Sequence, residues 1–315
     1  MRMCYCWAGL LVLGMLILPS TLLAQGKTEG SQNTRGLQTG WSTSTRGGVV
    51  YQFDTDLDEG GSYDATRFNI QAGQSYAWDR RTIVSLTLGY SYDGYSFSAG
   101  NGTGIAGLNP WDDIHSLSLS APMRIGFNDN WSAYFIPSLR SSGESGADFD
   151  ETVTGGAFAG FAYRFGERLT IGPGLGVVSQ LEESATVFPI LIINWKITDR
   201  LSLETGRGLA ATLGPGLTLN YRASQVWNFA IGGRYEKLRF RLDEDGKVPN
   251  GLGEDRSFPL FASSTYSVNP QTKFSLVGGV ELDGKLEIDD EDGDTITKES
   301  YDPGLFLGLT FNKRF

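Results

Sequence analysis

The sequence predicts an all-β protein: a single transmembrane antiparallel up-and-down β-barrel of about 14 strands, with 12 as the alternative count. Three observations carry this. Apolar and polar residues alternate with period two through most of the chain. The connections between these segments alternate between short turns and longer loops. Aromatic residues flank the short turns. Composition agrees: 315 residues include 42 Gly, 13 Tyr, 18 Phe and 7 Trp, with only 20% charged residues. That profile is unlike a helical protein. A formal net charge of −10 also lacks the basic stripe of a nucleic-acid binder.

The chain reads in order as follows. Arg2 and the apolar run at 7–19 (WAGLLVLGMLILP), followed by Ala24, have the pattern of a cleaved secretory signal peptide over 1–24. The run is too short for a membrane-spanning helix, which needs about 20 residues. Cys4 and Cys6 would leave with it, so neither thiolate metal sites nor cysteine catalysis is expected. Residues 25–46 are polar and read as a disordered N-terminal arm. The barrel is expected over 47–315.

Within it, Val84, Leu86, Leu88, Tyr90 and Tyr92 alternate with Ser85, Thr87, Gly89 and Ser91. Leu117, Leu119, Ala121 and Ile125 continue the pattern, as do Trp131, Ala133, Phe135 and Leu139, and finally Leu305, Leu307, Leu309 and Phe311. Short turns are expected at 79–81, 128–130, 166–168, 198–200, 223–225 and 269–272. Longer connections are expected at 56–62, 97–112, 142–151, 182–184, 208–214, 243–256 and 285–300. Fourteen strands of about 9–11 residues need roughly 126–154 residues in the membrane, which the chain accommodates. One break in parity stands out. After Trp227, Phe229, Ile231 and Tyr235 the apolar set moves to Leu238, Phe240 and Leu242. This predicts a bulge near Glu236–Lys237 or a strand leaving the membrane.

Charges sort with the same geometry. The seven longer connections hold 22 Asp/Glu against 4 Lys/Arg. Charged residues within strands share the polar parity: Arg67, Arg124, Arg140, Arg164, Arg222, Arg234, Glu204, Glu236, Glu281 and Asp283, with Asp93 beside them. Facing lipid, an Arg at the bilayer midplane costs about 2–4 kcal/mol, so these positions are expected to face the lumen.

With its signal peptide, strand meander and terminal segment 305–315 (LFLGLTFNKRF), the chain resembles Gram-negative outer-membrane β-barrels. The final Phe315 resembles the terminal aromatic recognised by the barrel-assembly machinery. The stretch 194–221 (NWKITDRLSLETGRGLAATLGPGLTLNY) is similar to a poorly characterised family of exported barrels with no assigned activity. The resemblance implies outer-membrane localisation, with membrane lipid and the assembly machinery as partners. Better-known subtypes fit less well. Outer-membrane fatty-acid transporters have fourteen strands but also an N-terminal plug with an Asn-Pro-Ala signature, absent here. Outer-membrane phospholipase A carries a His-x-Ser pair, where this chain reads His115-Ser116-Leu117. Omptin proteases use an Asp-x-His pair. Asp113 and His115 have that spacing, and Asp54, Asp56 and Asp58 could supply further carboxylates. Yet Asp113 and His115 share parity with Leu117 and Leu119, and omptins have ten strands.

The functional expectation is therefore not an enzyme. It is a passive or weakly selective pore for small polar solutes, with no cofactor. The alternative is a non-conducting surface barrel, a receptor, adhesin or structural protein, whose acidic extracellular loops meet a partner. Fourteen strands lie between barrels filled by side chains and open 16–18-stranded channels, so something must occupy the lumen. Acidic loops would favour cations within about a Debye length, roughly 10 Å at 0.1 M salt. Asp289, Asp290, Asp292, Asp294 and Glu299 form a weak divalent-cation candidate. They depart from a calcium loop because aligning Gly293 places Ile288 where Asp is required.

Overall fold

The computed structural model describes residues 39–99, 104–206 and 216–315. Seventeen strand segments join into one closed sheet of fourteen antiparallel staves. Eleven staves are continuous, the first nine being β1 (Gly40–Asp56), β2 (Ser62–Ala77) and β3 (Ile83–Ser98), then β6 (Trp131–Glu144), β7 (Val153–Phe165), β8 (Leu169–Gln180), β9 (Glu183–Lys196), β10 (Leu201–Gly206) and β11 (Gly216–Arg222). Between β3 and β6 one stave is split into β4 (Asp113–Ser120) and β5 (Met123–Gly126). Pro122 interrupts it because it brings no N–H to the ladder. Next come β12 (Trp227–Arg234) and β13 (Glu236–Arg241), parts of a single stave, then β14 (Leu252–Asn269) and β15 (Thr272–Asp289). Either side of Pro303, β16 (Thr295–Tyr301) and β17 (Gly304–Arg314) form the last. Closure is direct: Val49 of β1 pairs with Phe68 of β2 on one side and Leu309 of β17 on the other. A closed ladder leaves no unpaired sheet edge in lipid.

Period two sets which face each residue takes. Leu86, Leu88, Leu175, Ile231 and Leu309 point outward and are exposed, forming an apolar band suited to acyl chains. Aromatics gather at the short-turn end: Trp41 packs edge-on to Tyr76 at 5.0 Å, and Trp131 to Tyr163 at the same distance. At that end of the lumen the inner face is polar, with Ser75 Oγ 2.7 Å from Ser85 Oγ and Thr265 Oγ1 2.8 Å from Ser275 Oγ. No helix among the described residues is long and apolar enough to cross a membrane.

Several sequence expectations are corrected. Leader and arm up to residue 38 lie outside the described residues, but 40–46 are strand, paired with β2 from Gly40↔Ala77 onward. Ser42, Ser44 and Arg46 are polar because they face the lumen, not because the segment is an arm. The connection expected at 285–300 is largely strand, and the one expected at 243–256 ends at Leu252, where β14 begins. β14 and β15 are each 18 residues long and carry the wall beyond the apolar band. Glu254, Asp255, Glu287 and Asp289 therefore belong to the wall and not to loops.

The outer lumen is filled. Tyr63, Tyr95, Ile105, Trp111, Phe240, Leu286, Ile288 and Tyr301 form a buried apolar core inside the barrel. The loop after β3, with its single helical turn at Ile105–Leu108, supplies Ile105 and Trp111. β13 supplies Phe240. At Tyr235 the eleventh stave leaves the wall: β12 pairs with β11, whereas β13 pairs with β14 and makes a parallel bridge, Arg241↔Gly143, to β6. β6 is the fifth stave and not a wall neighbour, so this bridge runs across the interior. That departure turns Leu238, Phe240 and Leu242 inward, the alternative the parity break had offered.

Candidate functional site

Below the apolar core lies a polar constriction centred on Arg67. Its Nη1 donates to Gln52 Oε1 at 2.7 Å and to Glu281 Oε1 at 3.2 Å, and its Nη2 to Asp255 Oδ2 at 3.0 Å. Asp93 is 3.9 Å from Nε. Tyrosines close the network from the outer side. Tyr95 OH donates to Asp255 at 2.8 Å, and Tyr301 OH reaches both Asp255, at 3.2 Å, and Glu281, at 3.1 Å. Gln52 Nε2 donates to Tyr63 OH at 2.9 Å. Four separate parts of the wall thus meet at one guanidinium. Burying three carboxylates around a single cation is costly unless their lone pairs are satisfied; Tyr95 and Tyr301 supply donors to Asp255, and Tyr301 to Glu281.

A second charged layer belongs to β13. Arg239 Nη1 contacts Asp289 at 2.7 Å, Glu254 at 3.3 Å and Glu183 at 3.7 Å, while Nε donates to the Leu181 carbonyl at 2.9 Å. Lys237 Nζ is 2.9 Å from Glu254, and Arg241 Nη2 is 2.6 Å from Glu182. These contacts tie the inward strand to the β8–β9 connection and to β14 and β15.

The predicted lumenal charges divide accordingly. Arg67 and Glu281 belong to the constriction, and Arg234 pairs with Glu236 while lying 5.6 Å over the Phe261 ring. Glu204 accepts from Asn220 Nδ2 at 2.8 Å lower in the lumen. Arg140 Nε and Nη2 donate to the hydroxyls of Ser142 and Ser116. Arg124 keeps the inward parity, with its Nε buried and without a hydrogen-bond partner. Arg164 and Arg222 sit exposed at the short-turn ends. Asp283 is the exception. It has a positive φ of 49° where the β14–β15 register shifts, and its side chain is 81% exposed beside Lys285. The bulge flips parity after Glu281, so Asp283 faces out and Leu286 and Ile288 face in.

The candidate cation loop does not converge. Asp289 is turned to Arg239, and Glu299 accepts the backbone N–H groups of Glu59 and Ile105 at 2.6 and 2.8 Å. Asp290 caps the turn by accepting from the N–H groups of Asp292 and Asp294. No acidic or His cluster suited to a metal occurs among the described residues. Glu254, Asp255, Asp289 and Glu299 are buried, so the outer mouth is less acidic than the loop count implied. His115 contacts Asp113 at 3.2 Å and Tyr90 OH at 2.8 Å on the outer face of β4. Asp54, Asp56 and Asp58 are not among its partners. Phe315 donates its N–H to Thr43 at 2.8 Å, at the seam between the first and last staves.

Sequence reasoning missed Gln52, Tyr63, Tyr95, Asp255, Tyr301 and the Arg239 layer. Their signal was available in part. Tyr63 and Tyr95 lie on the polar parity at strand ends, and β13 reads Leu238, Arg239, Phe240, Arg241 after its parity break.

Residues 81–313 match a family described as a domain of unknown function, DUF6268. This chain belongs to that family. None of the curated proteins matches it. Several solved structures resemble it. The COG4313 outer membrane channel from Pseudomonas putida F1 is 10% identical, with a TM-score of 0.50, over 91% of this chain and 100% of that one. The P. putida toluene transporter TodX is 10% identical with a TM-score of 0.41, over 89% and 91% of the two chains. A Pseudomonas aeruginosa FadL homologue is 11% identical with a TM-score of 0.41, over 87% and 89%. At 10% identity the likeness to the COG4313 channel is one of fold. The DUF6268 chain has the fold of an outer-membrane β-barrel.

Proposed function

We propose that this barrel is an outer-membrane channel for small solutes whose lumen is closed in the conformation described, and not a permanently open passive pore. One observation carries the reading. The lumen is polar at the short-turn end, yet above it the Arg67 network and the apolar core around Trp111 and Phe240 occupy the interior. A fourteen-stranded wall is wider than one that side chains alone need to fill. The closure here is made by a wall strand, β13, and a loop. The wall ladder itself closes through β11, β12 and β14 without either of them.

Residues 1–24 serve export in this reading, and Phe315 serves insertion by the assembly machinery. Planar-bilayer recording tests the channel. The wild-type protein is expected to give small or rare openings. The Trp111→Ala, Phe240→Ala double variant, which removes the centre of the outer core, is expected to give a severalfold larger or more frequent conductance. Steady wild-type conductance of a wide aqueous pore would defeat the closed-lumen reading. Silence from both proteins would leave the non-conducting surface barrel.

A further inference from the structure

A cavity of about 290 Å³ lies between the inward strand β13 and the inner faces of β7, β8 and β9. Its size is near the lower end for small-molecule sites, roughly 300–1,000 Å³. Its body is apolar: Val178, Leu181, Phe188 and Tyr235 line it. The local sequence explains why. β9 reads VFPILIIN from 187 to 194 and is apolar on both parities, so Phe188, Ile190 and Ile192 put hydrocarbon on the lumenal side where other staves place Ser or Thr. Phe188 lies flat across Gly176 of β8, close enough that a Cβ there would strike the ring.

Its polar end is cationic. Arg140 and Arg239 both line the cavity. Among the described residues no carboxylate comes within 4.0 Å of the Arg140 guanidinium, whose partners are the Ser116 and Ser142 hydroxyls. The Arg239 side chain is only 4% exposed, and although Nη1 and Nε are engaged, Nη2 is buried with no hydrogen-bond partner. A buried guanidinium N–H left without an acceptor is costly. An anionic group at this end would give Arg239 Nη2 its acceptor and meet Arg140, whose direct partners are neutral hydroxyls, with Lys237 also in the lining. A carboxylate matches guanidinium geometry well.

We infer that this cavity binds a small organic anion, a carboxylate on a compact apolar body, with its charge toward Arg140 and Arg239 and its body against Val178, Phe188 and Tyr235. Its role as a station on a transport route rests on the channel reading above; the binding itself does not.

Calorimetric titration of the folded barrel in zwitterionic-lipid nanodiscs tests it, using 3-phenylpropanoate, 3-phenylpropanol and 3-phenylpropylamine as probes of matched shape. The carboxylate is expected to bind roughly tenfold or more tightly than the alcohol, with the amine weakest. Arg140→Gln is expected to remove most of that preference. Val178→Trp, which fills the cavity from the wall without touching a charge, is expected to abolish carboxylate binding. Retention of the unheated fast-migrating band shows that each variant is folded. Equal binding of the three probes, or carboxylate binding unchanged in Val178→Trp, would overturn the site. Binding by a barrel that never conducts would uphold the site and defeat the channel; conductance without binding would do the reverse.

Discussion

The guanidinium of Arg239 meets the carboxylate of Asp289 at 2.7 Å inside the outer lumen, joining an inward-turned strand to the far end of β15. Both side chains are almost fully buried. Asp289 was grouped from sequence with Asp290, Asp292 and Asp294, and the structure separates it from them: its neighbours cap a solvent-facing turn, while it anchors β13.

Asp289→Asn should therefore destabilise the barrel, whereas Asp292→Asn should not. Removing one partner of a buried pair costs about 3–5 kcal/mol. Glu254 and Glu183 remain near Arg239, which favours the lower end of that range. Urea unfolding in lipid vesicles, followed by tryptophan fluorescence, checks the difference between the two variants. Equal stabilities would mean that Asp289 does not anchor β13.

Tyr301 presses its ring against Gly284 of the neighbouring stave, so that a Cβ at Gly284 would lie inside van der Waals contact. That approach puts the tyrosine hydroxyl on Asp255 and Glu281. Gly284→Ala is expected to displace Tyr301, costing about 1–3 kcal/mol as an overpacked site, and to raise conductance. Gly155→Ala, where the nearest atom stands 3.5 Å from the new methyl, is the control and should be silent. Unfolding and bilayer recording on both variants read the two effects separately.

How much of this was legible follows from where period two holds. Leu86, Leu88, Leu307 and Leu309 face lipid as their alternation predicts, and the short turns at 79–81, 128–130 and 166–168 fall between paired staves. Alternation says which side of the wall a residue takes. It does not say what the inward side meets. Arg67 and Asp255 lie 188 residues apart, and only closure of the ladder brings them together. Glu254, Asp255 and Asp289 looked like loop residues because composition cannot distinguish a solvated acidic loop from a wall that extends past the membrane. Asp283 was misassigned because a bulge reverses parity without a proline to announce it.

Cysteine accessibility reads the wall and its filling together. Ser85→Cys and Thr87→Cys, on the inner face near the polar end, should react with a membrane-impermeant maleimide. Leu86→Cys and Leu88→Cys, facing lipid, should not. Ala65→Cys shares the inner parity but lies within the outer core, where Ala65 is 0% exposed, so it should label only after unfolding. Rapid labelling at position 65 in the native barrel would mean that the outer core is not packed in solution.

The Arg67 constriction makes a prediction with a definite pH sign. Arg67→Gln removes the cation and leaves Asp93, Asp255 and Glu281 grouped around a neutral amide. At neutral pH their mutual repulsion and lost desolvation partner should cost about 3–5 kcal/mol relative to wild type. Protonation relieves carboxylates crowded together, because a like charge nearby favours the neutral form. The variant's deficit relative to wild type should therefore shrink as pH falls into the mildly acidic range. Asp255→Asn in the Arg67→Gln background should recover part of the loss at neutral pH by removing one of the three charges. Unfolding midpoints of the three proteins across that pH range check the sign. A deficit that is independent of pH would show that Arg67 acts through packing of its stem and not through its charge.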